Sequence, residues 1–196
     1  MSLLENNKNQ NSGLSGPLHI ESGSPSDLSG RTEAERRTYE LLDRLGIPFE
    51  RVDHPPVYTM EDCEEIDALL DAFIVKNLLI CNRKRTDFYL LILPDDKSFQ
   101  SRVIAEQIGS GKLTFAHPEE MEELIGISLG AVSIMGLMND TAGRVTLLVD
   151  EEIREHETIG CHPCVNTASL KLRVKDVFET FLPAVGHEPV FVRIPR

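Results

Sequence analysis

The chain predicts an α+β fold, a single domain built on a mixed, largely antiparallel sheet flanked by helices. Strand-like and helix-like segments intermingle without the regular strand–helix–strand cadence of a parallel sheet. Two apolar runs, residues 72–81 and 88–93, flank a polar loop at 83–87, the spacing of a hairpin with a longer turn.

The elements follow in order. Residues 1–30 are rich in Ser, Gly, Asn and Pro without periodicity and read as a disordered leader or expression-derived sequence, leaving 31–196 as the folded domain. Thr32 and Glu35 have capping-box spacing, Ala34, Leu41, Leu42 and Leu45 mark one face, and Gly46 ends that helix. A short strand at 49–52 leads through His54-Pro55-Pro56 to a second helix from Thr59, its cap, to Ala68. Residues 98–108 predict a helix closed by Gly109, 113–115 a brief strand, and 118–125 a helix with Pro118 in its first turn. After a glycine-punctuated stretch, 145–149 is a strand, 160–163 a loop, 166–172 a strand, 174–182 a helix and 190–194 a closing strand.

Bulk properties narrow the function. A net charge of −12 disfavours nonspecific coating of nucleic acid, whose affinity comes largely from neutralised phosphates. Local basic clusters remain, at Arg83-Lys84-Arg85 and at Lys171, Arg173 and Lys175. No apolar stretch is long enough for a membrane span and no signal-peptide layout is present, so a cytoplasmic protein is expected. The single Cys161-His162-Pro163-Cys164 motif, with Cys63 and Cys81 far away in sequence, reads as small buried residues rather than a redox or zinc site. Neither a metal nor an organic cofactor is expected.

Lys76 stands in the middle of the first apolar run. Strand alternation puts it with Ile74, Leu78 and Ile80 on one face and Phe73, Val75, Asn77 and Leu79 on the other. An unpaired ammonium in such surroundings is costly, so Lys76 must reach solvent, find an anion, or face a ligand cavity. No nucleophile elbow, phosphate loop, His-Glu-x-x-His or dinucleotide fingerprint competes with it.

Asp53-His54-Pro55, Val57-Tyr58-Thr59, Lys76-Asn77-Leu78, Leu93-Pro94 with Lys97, Gly136-Leu137 with Asn139-Asp140, Gly160-x-His162-Pro163 with Asn166-Thr167-Ala168, and Gly186-His187-Glu188-Pro189 follow one another in the order of a known family. Over residues 33–192 the chain resembles the YbaK-type editing domains, free-standing relatives of the insertion domain of bacterial prolyl-tRNA synthetases, and its layout is most similar to the alanyl-tRNA(Pro) deacylase subgroup. The resemblance implies hydrolysis of mischarged aminoacyl-tRNA, with Lys76 as the essential lysine and Asn77, Ser133, Gly136, Gly160 and His162 at the substrate. It implies proline tRNA as the partner, with prolyl-tRNA synthetase as a candidate second one. Alternatives are a Cys-tRNA(Pro) deacylase, a non-catalytic tRNA- or synthetase-binding adaptor, and a thiol sensor using Cys161 and Cys164. Where many relatives carry Pro and Phe before Gly136, this chain has Ile134 and Met135, which are expected to reshape the wall that senses the amino acid.

Overall fold

A computed structural model of the chain describes residues 17–56 and 60–196, the side chains of 60–63 excepted. Among the described residues nine strands form one sheet in the order β1-β2-β8-β7-β3-β4-β6-β9, with β5 joined to β3 off that path. The strands are β1 (Ile20–Ser22), β2 (Phe49–Asp53), β3 (Phe73–Asn82), β4 (Phe88–Pro94), β5 (Leu113–Phe115), β6 (Val145–Asp150), β7 (Thr158–Cys161), β8 (Ala168–Arg173) and β9 (Pro189–Val192). The pairs β3–β7, β4–β6 and β6–β9 are parallel and the other five are antiparallel, so the sheet is mixed and largely antiparallel as expected.

Helix α1 (Glu33–Leu45) begins where Thr32 Oγ1 accepts from Glu35 N and ends where Gly46 takes a left-handed φ of 65°. Only half of the capping box forms, because Glu35 turns its carboxylate to Arg31 and to the Tyr39 hydroxyl. Helix α2 (Met60–Leu70) packs Ile66 and Leu70 on Val52 of β2. Its expected cap, Thr59, lies outside the described residues.

The β3–β4 hairpin forms around residues 83–87 and holds the centre of the sheet. One face of β3, β4 and β6 contributes Val75, Leu79, Leu90, Ile92, Leu147 and Val149 to the main core beneath α1 and α4 (Pro118–Ile125). The other face contributes Ile80, Leu91, Leu93 and Leu148 to a smaller core under α3 (Ser101–Ile108). Strand alternation therefore separates the two cores. At the C-terminal end, α5 (Val174–Asp176), a π turn (Val177–Phe181) and α6 (Leu182–Val185) replace the one regular helix expected. Pro183 has no N–H for the Glu179 carbonyl, and Leu182 N reaches back five residues to Val177 O.

Two expectations are corrected. The composition of residues 1–30 predicts a structureless leader, yet β1 pairs with β2. The segment is tied down by charge: Arg51 bonds Gly23 O (3.1 Å) and the Glu21 carboxylate, and Arg31 grips Asp53 at 2.6 Å. Residues 1–16 lie outside the described residues. Gly160 was placed in a loop, yet it lies in β7, parallel to Ile74 and antiparallel to Lys171. A glycine there permits the close approach of Ile74, whose Cδ1 would stand 2.6 Å from an added Cβ.

Candidate active site

A break in strand pairing makes the site. One edge of β3 is covered by β4 along its length. Among the described residues the opposite edge meets β7 only at Phe73 and Ile74, and β5 only from Ile80 to Asn82. The hydrogen bonds Asn82 N→Asp87 O and Ala116 N→Leu79 O fix the parity of β3, so odd-numbered residues turn their peptide groups away from β4. Asn77 thus presents its N–H and C=O to the uncovered stretch of edge.

A cavity of about 490 Å³ occupies this gap. Val75 to Leu79 form its floor, Phe115, Ala116 and Met121 one wall, Leu129, Gly130 and Val132 another, and His162 closes the end next to β7. A second cavity of about 510 Å³, between α1 and α6, contains none of the six candidate site residues.

Lys76 is exposed at the cavity rim rather than sealed inside the apolar run. Its Nζ donates to the main-chain oxygen of Lys97 at 2.9 Å. It has no carboxylate partner among the described residues, so its charge is not neutralised by an acid there. The segment that receives it is rigidly held. Lys97 is 5% exposed, and its ammonium lies 2.9 Å from both Asp150 and Glu152. Burial works to lower the Lys97 pKa, but the bonds to the two carboxylates outweigh it and raise the value. Asp150 also accepts from Glu152 N and Ile194 N, and Arg196 bonds both Glu152 and Asp96. Arg196 and Lys97 together bring the Glu152 carboxyl down to about 2.

Asn77 spends its side chain on structure. Its Oδ1 accepts from Ile134 N at 2.9 Å, fastening the 131–135 loop to the cavity floor. His162 is half-buried, and its Nδ1 bonds the Ala168 carbonyl at 3.0 Å. That carbonyl requires a donor, so Nδ1 carries the proton and Nε2 is left as an acceptor. Burial lowers the His162 pKa, only partly opposed by the bond to Ala168, and favours the neutral ring. His54, 6.5 Å away between ring centroids, is locked by Pro55 O and Ser169 Oγ.

The structure gathers Lys76, Asn77 and His162 at the cavity and sets Ser133, Gly136 and Gly160 behind it. Ser133 is 0% exposed, donates to the His162 carbonyl at 2.5 Å and accepts from Met135 N. It is placed to pin the His162 turn, not to touch a ligand. Gly136 is buried where an added Cβ would stand 2.4 Å from Ile127 Cδ1. Ile134 and Met135, expected in the wall, are likewise buried. The wall comes from Phe115, Met121, Leu129 and Val132, which no motif had marked. Their signal was faint: Phe115 and Leu129 are apolar residues in short polar surroundings that the fold leaves 53% and 70% exposed.

Cys161 and Cys164 are buried, and burial pushes their thiols up to about 12 and about 11. Both stay protonated and unreactive at neutral pH, which removes the basis of a thiol sensor.

A model of the aminoacyl-tRNA editing domain matches residues 54–180. The chain belongs to the aminoacyl-tRNA editing domain family. It is 31% identical over 155 residues to the prolyl-tRNA editing protein ProX of Acetoanaerobium sticklandii, covering 79% of this chain and 94% of that protein. It is also 31% identical over 166 residues to the mouse prolyl-tRNA synthetase associated domain-containing protein 1, covering 83% and 95%. The crystal structure of a candidate trans-editing enzyme for prolyl tRNA synthetase superposes with a TM-score of 0.61 at 19% identity, over 84% of this chain and 99% of that one. A hypothetical protein of known structure gives 0.61 at 20% identity over 78% and 96%. These likenesses establish the editing-domain fold. Among the described residues no helix is long and apolar enough to cross a membrane.

Proposed function

We propose that this chain is a trans-acting hydrolase that frees proline tRNA from a wrongly attached amino acid, alanine being the substrate that suits the cavity best. The observation that carries the reading is the meeting of Lys76, Asn77 and His162 at one gap in the sheet, against an apolar wall. Membership of the editing family and the names of the relatives support it.

An aminoacyl ester is already activated, so the site needs only to orient a water and steady the charge that develops on the carbonyl oxygen. Water attacks the carbonyl carbon, the bond to the ribose oxygen breaks, and that oxygen takes up a proton. Lys76 uses one of three donors on Lys97 O and keeps two for the terminal phosphate or the oxyanion. The free N–H of Asn77 offers a main-chain donor beside it. Neutral His162 supplies an acceptor at Nε2 for the attacking water or the substrate amine. Phe115, Met121, Leu129 and Val132 offer a methyl side chain an apolar contact, and the reading requires that the larger prolyl ring fit this wall less well.

The test is deacylation of proline tRNA charged with Ala, Cys, Ser or Pro, by the wild type and by Lys76→Ala. The reading expects Ala to be cleared fastest, Pro to survive, and the variant to be inactive but folded. Binding without hydrolysis of any ester would make the chain an adaptor, and preferential clearance of Cys would reassign the substrate.

A further inference from the structure

The basic cluster at residues 83–85 has no part in the cavity, yet it forms the turn that directly follows the Lys76 strand. Arg85 is neutralised by Glu120, and Asp87 is occupied by Asn82 and Thr86. Arg83 and Lys84 are exposed and have no carboxylate partner among the described residues. A third such cation joins them through the sheet. The antiparallel pair Asn82↔Leu113 carries exposed Lys112 next to Arg83. In a chain of net charge −12, where arginines 31, 36, 51, 144, 173, 193 and 196 all have acidic partners, three free cations at one tip stand out.

The ground between this tip and the cavity is aromatic. Phe115 pairs with Ile80, two residues before the end of β3, and lines the cavity while remaining largely exposed. Its ring is steadied by Phe99, 5.1 Å away between centroids. From Lys76 to Asn82 the strand covers about 20 Å at ~3.3 Å per residue. Along that line stand a lone ammonium at the cavity rim, an exposed ring and a group of unpaired cations. Positive charge interleaved with an exposed aromatic face is the arrangement that holds single-stranded nucleic acid.

We infer that Arg83, Lys84 and Lys112 form a landing site for the phosphates of an RNA acceptor arm, whose unpaired 3′ end runs over Phe115 into the cavity. The inference rests on the hydrolase reading for the identity of the RNA, and it adds the direction from which that RNA arrives. Arg37, Arg44 and Arg154 also lack a carboxylate partner among the described residues, but Arg37 and Arg44 lie on α1 beside the second cavity and Arg154 stacks over Phe191, so none of them lies on the line from the tip to Lys76.

The variant Arg83→Gln/Lys84→Gln/Lys112→Gln tests it with two measurements. Binding of fluorescent uncharged proline tRNA is followed against salt, and hydrolysis of 3′-O-alanyladenosine, which carries no phosphate, is followed separately. Binding at low salt should weaken at least tenfold, and the log–log salt slope should fall by about 2, at ~0.7 per lost single-strand phosphate contact. Hydrolysis of alanyladenosine should be unchanged, and Arg83→Lys/Lys84→Arg/Lys112→Arg should restore binding. Wild-type affinity and slope in the Gln variant would overturn the landing site, including the case in which another face binds RNA or these cations meet a protein partner instead. Failure of the wild type to cleave alanyladenosine would count against the hydrolase reading alone, since the binding measurement does not depend on it.

Discussion

The ammonium of Lys76 donates to the main-chain oxygen of Lys97 across 2.9 Å, while the Lys97 ammonium is clasped by Asp150 and Glu152. One lysine therefore aims another through a carbonyl. Asp150→Asn leaves the Lys97 ammonium buried with half of its countercharge. This should cost about 3 kcal/mol, the lower end for breaking a buried pair, and lower the melting temperature by on the order of 10 °C. Lys76→Ala should keep its melting temperature and lose on the order of 10²-fold in kcat, the scale for one electrostatic contact at a developing charge. Calorimetry with single-turnover deacylation separates the two effects. Equal loss of stability in both variants would contradict the exposed placement of Lys76.

The His162 ring should give the reaction an acid limb. Burial holds its pKa below the ordinary 6.5, so the neutral ring persists at neutral pH and is lost only on further acidification. The deacylation rate, corrected for spontaneous hydrolysis, should be flat near pH 7 and decline below pH 6.5. In His162→Gln the decline should vanish together with part of the rate. The sign for stability is the same: the unfolded chain takes up this proton first, so stability present above pH 6.5 is lost as the pH falls.

Asp67 makes the opposite prediction. Burial, with Asp95 and Glu64 adding repulsion, raises its carboxyl to about 6. The folded state then binds more protons than the unfolded state between the ordinary 3.8 and about 6, so this group's contribution to stability falls as pH rises through that window. Asp67→Asn should melt higher than wild type at pH 7 and show a shallower decline between pH 4 and 6. Its partial exposure keeps the gain modest.

Selectivity should reside in the wall. Val132→Ala removes apolar volume from the cavity lining. Discrimination between alanyl and prolyl esters should narrow by ~1–3 kcal/mol, or about 10- to 100-fold in relative kcat/KM. A change confined to the rate with alanine would move the sensing surface elsewhere.

The elements whose signals were local could be read directly. Thr32, Gly46, Pro118 and Gly109 sit at the helix ends expected of them, and the β3–β4 hairpin has the register its two apolar runs imply. Lys76, Asn77 and His162, which the sequence marks as an odd charge in a strand and as part of a recurring motif, line the same cavity. What escaped was set at long range. Gly160 looked like loop because its role, letting Ile74 pack closely, belongs to another strand. Ser133 looked like a substrate contact because sequence cannot tell a buried hydroxyl that holds a turn from one that holds a ligand. The wall residues depend on which strands fail to pair, and spacing along the chain carries no trace of that.

The cavity floor is main chain left over where two ribbons part company. A peptide group cannot be substituted away, so side-chain replacement leaves this part of the machinery untouched. The apolar wall, by contrast, hangs from the short stretch 115–132, outside the hairpin that carries the floor. If the site works as proposed, such a division would let descendants exchange one client amino acid for another by altering a few apolar groups, while Lys76 and the main-chain floor are kept.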